Sequence, residues 1–108
     1  MNEVIKILQS YTNLEEDWDG YNGIAPLKST VDNLINILNT LPVNIKLPIP
    51  MCSGLGTVGV YWEINNQYAE ICVDDDFTVI SYVLDKEWNK GTVNCPNISQ
   101  ELIKLIIV

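Results

Sequence analysis

The sequence contains no histidine and no arginine, and its six lysines face fourteen acidic residues. Without histidine, Ser-His and Cys-His nucleophile systems lack their base, and a zinc site would have to recruit carboxylates. Without arginine, and at a formal net charge of −8, the chain has few groups to neutralise phosphates and release their counterions. A duplex would be repelled at long range, so direct nucleic-acid binding is not expected. The partner favoured at long range is a protein with a basic surface. The same charge also keeps a small hydrophobic domain soluble, so composition alone leaves both readings open.

Cysteine is scarce and unpaired by pattern. Cys52, Cys72 and Cys95 make an odd set with no C-x-x-C spacing, which fits neither a disulfide framework nor a zinc knuckle. Three free thiols in a reducing compartment are expected. No run of about 18 apolar residues is present to span a membrane. The start, Met1-Asn2-Glu3-Val4-Ile5-Lys6, lacks the basic end and apolar stretch of a signal peptide. The expectation is a cytoplasmic protein without membrane association, metal or cofactor. With 47% hydrophobic and 19% charged residues, residues 1–108 can bury enough apolar surface to fold as a single domain.

Apolar residues at 4, 5, 7, 8, 11 and 14 have helical spacing. A second helix follows, with Ser29 as N-cap, Asp32 favourable near the positive end of the dipole, a Val31-Leu34-Ile35-Leu38-Leu41 stripe, and Pro42 as its stop. Residues 42–56 carry three prolines and two glycines and read as an extended crossing segment with an irregular end.

Thr57 to Ile64, Asn65-Asn66, and Gln67 to Val73 read as a β-hairpin, because asparagine tolerates the positive φ that two-residue turns need. That turn sets Val58 opposite Val73, Val60 opposite Ile71 and Trp62 opposite Ala69, all apolar. The other face pairs Glu63 with Tyr68, Tyr61 with Glu70, and Gly59 with Cys72. A one-residue slip would scramble both faces. Asp74-Asp75-Asp76 turns the chain into a third strand, Phe77 to Leu84. A two-residue turn would place Thr78, Ile80 and Tyr82 on the core face, and a three-residue turn Phe77, Val79 and Ser81. The first is favoured, since Ile80 and Tyr82 then continue the Ile71 and Ala69 layers. Residues 85–97 read as polar and irregular, and Asn97 or Ser99 caps a last helix from Gln100 to about Ile107. The fold expected is α+β: a two-layer sandwich of two or three helices on a three-stranded antiparallel meander.

The segment Glu15-Glu16-Asp17-Trp18-Asp19-Gly20-Tyr21-Asn22-Gly23 crowds acids, aromatics and glycines. Its oxygens could ligate calcium, but the EF-hand spacing is absent. A structural loop is the better reading, with Trp18 and Tyr21 anchoring it in the core, Asp17 or Asp19 as caps, and the glycines in unusual φ. Trp18-Asp19-Gly20-Tyr21-Asn22-Gly23, with Ala25-Pro26, the Ser-capped helix to Leu41-Pro42 and the later Tyr61-Trp62-Glu63, resembles a group of small bacterial and phage proteins. These share a W-D-G-Y-G-A-like loop between two helices. The resemblance covers residues 10 to about 84 and departs at Asn22. It implies the order of elements and a bacterial host, and it brings no assigned activity.

Glu63 and Glu70 form a carboxylate pair, but an open sheet face offers neither a pocket nor a partner for acid-base work. Gly54-Leu55-Gly56-Thr57-Val58-Gly59 leads into a strand and so is not a phosphate loop. A non-enzymatic role is expected: an inhibitor or antagonist of the antitoxin, immunity or anti-defence type. Its docking face would be Tyr61, Glu63, Tyr68 and Glu70, with Asp74, Asp75 and Asp76 at the edge. Two other roles stand beside it. One is a small-ligand binder with Trp18, Tyr21, Trp62 and Trp88 lining a pocket at an oligomer interface. The other is a structural subunit. The apolar tail 102–108 either enters the core or supports a homodimer through Leu102, Ile103, Ile106 and Ile107.

Overall fold

The tightest local constraint in the fold is the Asn65-Asn66 turn, where φ is +52° and +66°, as a type I′ hairpin requires. The computed structural model describes residues 1–15, 18, 20, 23–74, 78–84, 90–94, 98 and 100–108, with 90–94 and 101 as backbone. The turn joins β2 (Val58–Ile64) to β3 (Gln67–Val73). Their register pairs Val58 with Val73, Val60 with Ile71, Trp62 with Ala69 and Tyr61 with Glu70, as the sequence implies.

This hairpin is the centre of a larger sheet than expected. β1 (Ile49–Cys52), β4 (Val79–Leu84) and β5 (Lys90–Asn94) extend it to five antiparallel strands in sequence order. β1 lies within the segment expected to be an irregular crossing, and β5 within the one expected to be polar loop. Pro50 is tolerated because β1 is an edge strand, where one side of the backbone has no ladder to serve. Between β1 and β2, Gly56 takes a φ of +82° in a tight turn closed by the Ser53 N–H on the Thr57 carbonyl at 2.9 Å.

The β3–β4 connection corrects the favoured register of the third expected strand. The Asp74 N–H donates to the Thr78 carbonyl at 2.9 Å, a bond that spans three residues of sequence. Val73 then pairs with Val79, Ile71 with Ser81 and Ala69 with Val83. Val79, Ser81 and Val83 are buried, while Ile80 and Tyr82 stand on the other face. Hydrophobic bulk argued for the opposite outcome, but Ser81 in the core does not lack a partner. Phe77 lies outside the described residues.

Helices α1 (Asn2–Ser10), α2 (Lys28–Asn39) and α3 (Gln100–Ile106) cover one face of the sheet. α1 packs on β1 and α2, α2 on β2 and β3, and α3 on β2 and β4. Leu8, Val31, Leu34, Leu38, Leu102 and Ile106 meet Val58, Val60, Trp62, Ile71 and Val83 in one cluster. The Trp62 indole, almost fully buried, donates to the Lys46 carbonyl at 2.8 Å. α2 starts one residue before Ser29, with Leu27 at its N-cap and no side-chain cap, so Ser29 does not cap it. Lys28 instead pairs with Asp32 at 2.7 Å on the exposed face. The capping candidates Asn97 and Ser99 for α3 lie outside the described residues.

The tail resolves into two parts. Leu102 and Ile106 are fully buried in this chain's core. The segment beyond them is tied to residues 44–46 by the Lys46 N–H on the Ile106 carbonyl and the Val108 N–H on the Asn44 carbonyl. Ile103 is half-buried and Ile107 partly exposed. Among the described residues, no helix is long and apolar enough to cross a membrane.

Candidate functional site

Among the described residues, the helices leave the second face of the sheet uncovered, and strand register decides which side chains stand on it. Directly paired residues share a face. Ile49, Tyr61, Glu70 and Tyr82 therefore form one row across β1 to β4. Met51, Gly59, Cys72 and Ile80 form the next, and Glu63, Tyr68 and Leu84 a third. Glu63 and Ile49 are exposed, while Tyr61, Tyr68, Glu70, Cys72 and Tyr82 are half-buried.

Glu70 is the hub. Tyr61 lies opposite it on β2 and Tyr82 opposite it on β4, with Tyr68 two residues before it and Cys72 two after. The Tyr68 hydroxyl donates to Glu70 Oε1 at 2.5 Å, and the Cys72 thiol donates to Oε2 at 2.9 Å. The rings form a continuous ladder. Tyr61 and Tyr68 stack with centroids 5.6 Å apart and planes at 23°, and Tyr68 meets Tyr82 at 6.1 Å and 36°. Such pairs contribute about 0.5–1.5 kcal/mol each beyond their buried area.

Gly59 makes room for this arrangement. A Cβ there would lie 2.8 Å from the Ile71 carbonyl oxygen, 2.9 Å from Cys72 Sγ and 3.0 Å from Met51 Cε. The hydrogen atom in place of a side chain lets Cys72 and Met51 lean over β2. At the edge, the Thr57 hydroxyl donates to Asp74 Oδ1 at 2.7 Å, which anchors the first of the three aspartates. Asp75 and Asp76 lie outside the described residues.

The electrostatics of the cluster keep its donors neutral. Burial pushes the Cys72 thiol well above its ordinary value, and the hydrogen bond and charge of Glu70 add to the shift. Burial raises Tyr68 strongly for the same combination of reasons. Tyr82 is pushed up to about 12 by burial and then by Glu70. The thiolate is the reactive form of cysteine, so Cys72 is a hydrogen-bond donor here and not an activated nucleophile. Among the described residues, the ion pairs are Glu3–Lys6 and Lys28–Asp32, both on helices. The carboxylates of the open face, Glu63, Glu70 and Asp74, take part in neither.

The other sequence candidates fall elsewhere. Trp18 donates through its indole N–H to the Ile24 carbonyl at 3.2 Å, and Gly20 has a φ of +78°. Asp19 and Tyr21 lie outside the described residues, as does Trp88. Trp62, proposed to line a ligand pocket, belongs to the core and has no face free for one. A cavity of about 300 Å³ between the end of α2 and residues 42–47 is lined by Leu38, Leu41, Pro42, Val43, Ile45 and Leu47 and holds no aromatic ring. The reading from sequence missed Tyr82, Cys72 as a donor, and the apolar flank of Ile49 and Ile80. The three-residue turn was the signal that brings Tyr82 beside Glu70.

Comparison with protein-family models, curated proteins and solved structures finds no match for this chain.

Proposed function

We propose that this chain is a non-enzymatic acidic binding protein that docks the open face of its sheet on a basic surface of a protein partner. The reading extends to an inhibitor or antagonist of the antitoxin, immunity or anti-defence type, acting in the cytoplasm of a bacterial host. The observation that carries the docking face is the tyrosine ladder around Glu70, flanked by Glu63 and Asp74. Tyrosine supplies large, rigid, amphipathic contact area at low entropic cost. The carboxylates, set in a chain of net charge −8, supply steering towards positive potential. The thiol and hydroxyls beside Glu70 are held protonated, which suits contact and not nucleophilic chemistry.

The test is affinity capture from a bacterial lysate at low and at high salt, with the wild type beside Glu63→Lys and Glu70→Lys variants. The reading predicts a defined protein held by the wild type, weakened by salt and lost with either charge reversal. A captured set that is the same for all three proteins would refute it.

A further inference from the structure

We infer that Pro48 and Pro50 close the β1 edge of the sheet to strand addition, and so keep a second copy of this chain from pairing there. The inference is independent of what the open face meets.

Backbone parity is its first support. Along an antiparallel pair, residues that exchange backbone bonds with the partner strand alternate with residues whose N–H and C=O point the other way. The Ser53 N–H donates to the Thr57 carbonyl at 2.9 Å, and the pairs Met51–Gly59 and Ile49–Tyr61 follow at two-residue steps along the same ladder. Ile49 and Met51 therefore bond towards β2, as Ser53 does. The Asn65-Asn66 turn gives the same answer from the other side. A two-residue turn makes Ile64 and Gln67 a bonded pair, so Val58, Val60 and Trp62 bond towards β3 while Gly59 and Tyr61 turn to β1. Pro50 lies opposite Val60, and its backbone nitrogen points away from the sheet, as that of Cys52 does. Pro48, just ahead of β1, has the same parity. Proline carries no N–H. Of the outward positions 48, 50 and 52, Cys52 alone could donate to a sixth strand.

The second support is what this edge would be without the prolines. Leu47-Pro48-Ile49-Pro50-Met51-Cys52 is uncharged and apolar at every position. Leu47 is 65% exposed and Ile49 51%. An apolar edge with a full row of backbone donors and acceptors templates pairing with another chain, and short uncharged windows of this kind stack most readily. The net charge of −8 opposes self-association at a distance, and salt screens it. The prolines act at contact. Their two-residue spacing matches the repeat of a strand edge, so both remove donors from the outer side and neither removes one from the β2 ladder.

The test follows mean mass by light scattering over a concentration series, at a salt concentration that screens the charge. It compares the wild type, Pro50→Val, the double variant Pro48→Val/Pro50→Val, and that double variant with Ile49→Lys added. The wild type is expected to stay monomeric, and the double variant to show at least about a twofold rise in mass, as pairing of two copies requires. Ile49→Lys should restore the monomer, because an edge lysine is itself a guard against pairing. Amide spectra report folding, and Pro50→Val alone carries the comparison where the double variant does not fold. Folded proline variants that remain monomeric throughout overturn the inference. Amide exchange in the wild type tests the geometry without any substitution: the Ile49 and Met51 N–H groups should exchange slowly and that of Cys52 fast. Slow exchange at Cys52 would show an edge that is already covered, and overturns the inference as well.

Discussion

The Cys72 thiol donates to Glu70 Oε2 at 2.9 Å, and this contact decides what the cysteine can do. Burial and the neighbouring carboxylate hold the thiol protonated far above its ordinary range. Cys72 is therefore expected to be alkylated by iodoacetamide much more slowly than an exposed thiol at mildly alkaline pH. Glu70→Gln removes the charge while burial persists, so the Cys72 rate should rise several-fold. Peptide mass mapping after timed alkylation separates Cys72 from the other cysteines. A Cys72 rate that is already fast in the wild type would contradict the geometry.

The tyrosine ladder imposes a pH dependence on stability. Tyr82 has an ordinary value of 10.0 that the fold raises to about 12. Above pH 10 the unfolded chain releases this proton while the folded chain keeps it, so ionisation favours unfolding. The stabilisation is complete below pH 10 and is lost as pH climbs from there towards 12. The Cys72 shift has the same sign and begins from its lower ordinary value of 9.0. Urea midpoints should fall between about pH 8 and about pH 11, and less steeply in Tyr82→Phe. Parallel falls in both proteins would assign the effect to other groups.

Gly59 is the tightest point of the open face. In Gly59→Ala the new methyl would sit 2.8 Å from the Ile71 carbonyl oxygen, a backbone atom in the central hairpin that cannot swing aside. A loss of about 1–3 kcal/mol is expected. Thermal or chemical denaturation measures it, and a neutral substitution would show that β2 and β3 can separate without cost.

Thr30, in the first turn of α2, is completely buried, and its hydroxyl has no hydrogen-bond partner among the described residues. Valine has nearly the same shape and helix propensity. Thr30→Val removes the unsatisfied group and is expected to stabilise the protein by roughly 1 kcal/mol. A higher urea midpoint with an unchanged slope would be the signature, and a lower midpoint would reveal a partner for the hydroxyl.

The sequence carried the hairpin almost completely, because a two-residue turn of positive-φ asparagines and a period-two pattern constrain each other. Val58 opposite Val73 follows from Asn65-Asn66 alone. The neighbouring strands were harder for physical reasons. β1 is four residues long and contains Pro50, so its edge pairing has no propensity signal. In β4, Ile80 and Tyr82 are larger than Val79 and Ser81, and bulk pointed to the wrong face. Turn length settled the register, and turn length is set by the Asp74–Thr78 backbone bond, which has no residue signature. α2 likewise shows a serine in a good capping position that the helix passes through. Half of the open face was legible for the same reason as the hairpin: Tyr61, Glu63, Tyr68 and Glu70 all lie on β2 and β3. Tyr82 completed the ring only once β4 was in register.

The central claim is that the open face of the sheet is the surface this protein uses. Its most direct measurement is site-specific photocrosslinking in cells, with a photoreactive residue placed in turn at Glu63, at Ile80 and, as control, at exposed Asn36 on the helical layer. Crosslinks to the same protein from positions 63 and 80, with none from position 36, are the predicted result. Crosslinks from position 36 alone, or none from positions 63 and 80, would contradict it.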